Sequence, residues 1–180
     1  MGVVLLHNLR TKGQMSSAAL ARDMAWGSIG GLVGLIVMDL VLAGMSLAVG
    51  LPTVIFFSTI GDTAAGFFAL LGIPLAGVFP LGTAVHNLSS MVLGAIFGAA
   101  AAQIDALRVD TLKKGIVLAV LYIEILSQPI LATSPILLKM TTAQTLQWYG
   151  VSADMHLIWA VVLGVVVSYG LHLPPAARHA

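Results

Sequence analysis

Four stretches of about twenty apolar residues, each nearly free of charge, constrain this chain more than any other feature. They run 27–50, 81–104, 115–138 and 155–173. A helix needs about 20 apolar residues to cross the hydrocarbon of a bilayer. Only a helix or a closed barrel satisfies its own backbone there. The pattern predicts an all-α fold, an integral membrane four-helix bundle forming a single transmembrane domain over 1–180. Composition agrees where it matters: 8% of the 180 residues are charged, against about a quarter in a soluble domain. Such a chain cannot dress a water-facing surface, so the lipid bilayer is its first expected partner. A net charge of +1 leaves no basic stripe for phosphates, and nucleic acid is not an expected partner. The absence of cysteine excludes disulfides, thiolate metal sites and cysteine nucleophiles.

Residues 1–26 read as a cytoplasmic amphipathic segment. A short helix is expected over 15–26, opening at Ser16 or Ser17, with Arg22 and Asp23 on its polar side. Trp26 then falls at the membrane boundary, where an indole with one wet edge is favoured. The apolar start from Met1 to Leu6 is too short for the core of a signal peptide. Residues 51–80 are apolar but broken by Pro52, Gly61, Asp62, Gly72, Pro74, Gly77 and Pro80. Charge decides how to place them. If 51–80 does not cross, Arg10, Lys12, Arg22, Arg108, Lys113, Lys114 and Arg178 all lie inside and only Lys139 lies outside. That split satisfies the positive-inside rule. Both termini are then cytoplasmic in a prokaryotic-type membrane, and 51–80 caps the outer face as a re-entrant or surface-lying helical hairpin.

The two halves read as an internal repeat. His86 is followed six residues on by Val92-Leu93-Gly94, and His156 by Val162-Leu163-Gly164. Gly30 through Asp39 aligns with Gly115 through Glu124. Each half carries a carboxylate in its outgoing helix and a histidine at the outer end of its returning helix. Gly94 with Gly98 and Gly30 with Gly34 are spaced for close helix contact, within the bundle or with a partner's helix.

Ionisable groups in a span face a bundle interior or a wet cavity and need partners. Asp39, Glu124 and Gln128 are the expected buried polar network, and His86 and His156 the candidate cofactor ligands. Three readings stand open. These groups hydrogen-bond one another and fix helix register. Alternatively the two histidines ligate a b-type haem from diagonal helices. In the third, carboxylates join the histidines around a metal ion. The spacing puts both carboxylates one turn or more deeper than the histidines, which weighs against the third. No HExxH, GxSxG or Walker loop is present, so no catalytic residues are assigned.

The glycine-rich stretch from Gly30 to Asp39, and the helix running from His86 through small residues to Gly98, resemble YagU-like inner-membrane proteins. The resemblance implies the fold and no activity. The expected function is an accessory transmembrane subunit of a larger respiratory or photosynthetic complex, partnered by other transmembrane subunits. The alternatives are a haem- or metal-binding electron-transfer subunit and a small proton-coupled channel or carrier.

Overall fold

A computed structural model of the chain describes residues 17–50, 52, 54–75 and 78–172. The described residues form five α-helices and no strand. These are α1 (Ser17–Ala48), α2 (Val54–Leu70), α3 (Val78–Gln103), α4 (Leu112–Leu137) and α5 (Thr142–His172), with a short 3-10 turn, Asp105–Leu107, before α4. Helices α1, α3, α4 and α5 are long and apolar enough to cross a membrane. The chain is a membrane-spanning helical bundle.

The helices form an up-and-down ring. Helix α1 packs along α3 on one side and α5 on the other, and α5 packs along α4. The α3–α4 side is looser and is bridged by one side chain. Tyr122 donates from its hydroxyl to the Leu93 carbonyl at 2.8 Å and sets its ring against Phe97 at 5.3 Å. At the end of the bundle where α1 finishes, α2 covers this side, packing on both α3 and α4. There the hydroxyls of Thr63 and Ser134 hydrogen-bond at 2.9 Å. The core between α1, α4 and α5 is built from Leu35, Met38, Ile123, Met155, Trp159 and Leu163, all essentially sealed.

Small residues determine which helices touch. A Cβ on Gly27 would strike the Gly94 carbonyl, and one on Gly31 the Ser90 carbonyl, so α1 and α3 meet backbone to backbone. Gly30 and Gly34 face α5 instead, beneath Leu163 and Trp159. Both glycine pairs singled out from spacing are therefore engaged inside the bundle and present no face to a partner.

Three expected boundaries are corrected. Helix α1 is continuous from Ser17, so no separate amphipathic helix ends at Trp26. Asp23 on it is buried and held by Arg22 at 2.9 Å rather than facing water. Helix α5 starts at Thr142 instead of 155 and runs 31 residues, about 46 Å, longer than a bilayer core of about 30 Å. Among its described residues, the segment expected to cap the outer face holds one helix, α2, rather than a hairpin, because Pro80 falls in the first turn of α3, where its missing N–H costs nothing. The tails at 1–16 and 173–180 lie outside the described residues, with Arg10, Lys12 and Arg178.

Candidate functional site

Every fourth residue of α1 forms the stripe Gly27, Gly31, Leu35 and Asp39. The facing stripe on α3 is Gly98, Gly94, Ser90 and His86. The glycine contacts lock the two stripes in one antiparallel register. That register brings His86 Nε2 to 3.2 Å from Asp39 Oδ1. Phe56 and Phe57 from α2 approach the imidazole edge to face, with centroids at 5.7 and 5.5 Å. The pair is mostly enclosed, with 12% of the His86 side chain and 28% of the Asp39 side chain exposed.

The expected depth difference between Asp39 and His86 is overturned. Because α3 starts at Val78 instead of 81, His86 lies more than two turns inside it. Asp39 lies a similar distance before the end of α1 at Ala48, so the two groups are level.

A second pair of stripes builds the α4–α5 seam: Gly115, Ala119, Ile123, Ser127 and Leu131 against Gly164, Ala160, His156, Ser152 and Trp148. Contacts at both ends fix it. Gly164 abuts the backbone of Gly115 and Ile116, and Trp148 Nε1 donates to the Leu131 carbonyl at 3.2 Å. Pro135, four residues on, has no N–H to offer that carbonyl, and the indole takes its place. His156 thus stands opposite Ile123, its Nδ1 buried without a hydrogen-bond partner. It is within electrostatic reach of His86.

Glu124 and Gln128 do not join a buried network with Asp39, contrary to the sequence expectation. Glu124 is partly exposed and makes no hydrogen bond or ion pair, and Gln128 is exposed. The repeat explains why. Aligning Asp39 with Glu124 also aligns Gly31 with Ile116, whereas the α4 residue in the seam is Gly115. The second copy is one residue out of phase with its seam, about 100° around the helix. Asp39 therefore faces its partner helix while Glu124 turns out of the bundle. It sits on the flank of α4 away from Tyr122 and α3.

This arrangement does not fit a haem between the histidines. A bis-histidine haem needs both imidazoles to aim a nitrogen at one iron across an open macrocycle slot. His86 Nε2 is engaged by Asp39, its ring is flanked by two phenylalanines, and Met38, Leu42, Met155 and Trp159 fill the core. Among the described residues no cluster of three or more His, Asp or Glu side chains is placed to hold a metal ion. The arrangement makes a hydrogen-bonded clamp between α1 and α3, with a second imidazole beside it.

Sequence reasoning missed Phe56, Phe57, Tyr122 and Trp148, the side chains that tie α2, α4 and α5 around this clamp. The available signal was weak: Phe56-Phe57 is one of two adjacent phenylalanine pairs in the connector, the other being Phe67-Phe68. Compared with family models, curated proteins and solved structures, the chain matches none.

Proposed function

We propose that this chain is an accessory subunit, without catalytic activity of its own, of a larger complex in a prokaryotic-type cytoplasmic membrane. The observation that carries this reading is the outward stripe of Glu124 and Gln128. Glu124 lies midway along α4, where an ionisable side chain facing lipid costs about 2.5–3.5 kcal/mol even on the lenient insertion scale. Leu121 and Ile125 beside it are more than half exposed, so the flank is apolar except for this pair. A polar group from another transmembrane helix would relieve that cost. The expected setting for such a subunit is among respiratory or photosynthetic partners.

Orientation follows from charge. Arg22, Arg108, Lys113 and Lys114 cluster at the end of the bundle where α1 begins, and Lys139 sits at the other. Under the positive-inside rule the first end would face the cytoplasm, the side expected for both termini.

The test is a photo-cross-linking amino acid at Gln128 in native membranes, with Leu88, exposed on α3, as the control position. The expected result is an adduct to a different polypeptide from position 128 and lipid adducts from 88. Lipid adducts alone from 128, or adducts only to a second copy of this chain, would remove the accessory reading.

A further inference from the structure

The outer end of the bundle holds a partly enclosed cavity of about 410 Å³ between the end of α1, the start of α2 and the start of α5. That volume lies in the range of small-molecule sites, which are mainly apolar with a few placed polar groups. Its walls are aliphatic and methionine side chains with Phe56 and Trp148 as a tilted aromatic pair, centroids 5.6 Å apart. No charged side chain lines it among the described residues.

The polar atoms on the wall sort into engaged and free. Thr59 Oγ1 donates to the Ile55 carbonyl. Gln144 Oε1 accepts from the Thr141 backbone N–H and lies within hydrogen-bond reach of its hydroxyl. Trp148 Nε1 donates to Leu131. Among the described residues Ser46 on α1 and Gln147 on α5 make no such bond, and Gln144 Nε2 donates to none, so the cavity offers a hydroxyl from α1 and amide donors from α5.

We propose that this cavity binds a neutral, flat, electron-poor ring carrying carbonyl acceptors and an apolar tail, the chemistry of a quinone head group. Each part of the ligand answers a part of the wall. Absence of charge excludes ionic head groups, whose desolvation nothing here would offset. An electron-poor ring packs favourably on the electron-rich faces of indole and phenyl. Ser46 and Gln147 both donate, which suits carbonyl oxygens as acceptors. The tail leaves toward the lipid past Met45 and Val49. Phe56 also touches His86, so one ring separates the ligand from the Asp39–His86 clamp.

The inference is independent of the accessory reading, which rests on α4. It is tested on the full chain in detergent, labelled with 5-fluorotryptophan. The three tryptophans, Trp26, Trp148 and Trp159, give three fluorine resonances, and Trp148→Phe assigns the one in the cavity. Titration with a short-tailed 1,4-benzoquinone is expected to move the Trp148 resonance saturably and leave the other two in place. Gln147→Leu, at an exposed position, should weaken binding about five- to tenfold through loss of one hydrogen bond. Ser46→Phe, which fills the space, should abolish the shift. A non-saturating shift shared by all three resonances would mean partition into the micelle and would overturn the proposal. So would equal binding by a saturated alkyl alcohol, or undiminished affinity in both variants.

Discussion

Replacing Gly27, Gly30 and Gly44 by alanine, one at a time, tests whether backbone contact holds the bundle together. All three lie in α1 and gain the same methyl group, so differences report surroundings alone. At Gly27 the new Cβ would overlap the Gly94 carbonyl oxygen and stand 2.8 Å from the Gly94 carbon and 3.0 Å from the Gly98 nitrogen. These are backbone atoms and cannot rotate away, so α1 and α3 must part. Overpacking of this kind costs about 1–3 kcal/mol. At Gly30 the nearest atom is Leu163 Cδ1 at 2.9 Å, the tip of a flexible side chain, with the next at 3.4 Å. A small rotation relieves it, so the change should stay within about 0.5 kcal/mol. At Gly44 nothing lies within 4 Å, and alanine's better helix propensity should leave stability unchanged or raise it by up to about 1 kcal/mol. Reversible unfolding in mixed micelles, followed by tryptophan fluorescence, should rank stability as Gly44→Ala, then Gly30→Ala, then Gly27→Ala. Equal stability of Gly27→Ala and Gly44→Ala would refute the backbone contact, and with it the register that pairs Asp39 with His86.

The clamp itself is accessible to a double-mutant cycle. Asp39→Ala and His86→Ala should show a coupling of about 0.5–3 kcal/mol, as residues in contact do, and additive losses would deny the 3.2 Å contact. Trp159→Phe removes the buried donor to the Gly31 carbonyl, which it reaches at 2.9 Å. Thermal unfolding should register a loss of about 1 kcal/mol, and no loss would disprove that bond. Cysteines at Thr111 and Gln144, at opposite ends of α4 and α5, should label from opposite faces of the membrane; labelling of both from one face would remove the four-span topology. The purified chain should show no Soret band, and a band lost on His86→Ala or His156→Ala would restore the haem reading.

How much the sequence revealed depended on what each signal measures. The four spans were legible because length and apolarity alone mark them. Rotation about each helix was not, because in lipid the outward residues are as apolar as the inward ones. On α1, exposed Ile36 and Leu40 look no different in sequence from buried Leu35 and Met38. The continuity of α1 through 17–26, and the helix over 142–154, were missed for a related reason: these stretches are too polar to register as span, yet they continue the same backbone ladder. Asp39 and His86 were both singled out, but their pairing needed the glycine register. The outward turn of Glu124 hinged on a one-residue phase difference that an alignment of the halves cannot display.

That phase difference gives the bundle a valence. In the first half the polar group turns inward and is satisfied by its own helical partner. In the second half it turns outward along a single line on α4. On the proposed reading, such a line is the edge of α4 at which the chain would join an assembly of membrane helices, with the α1–α3 clamp left to hold its own bundle.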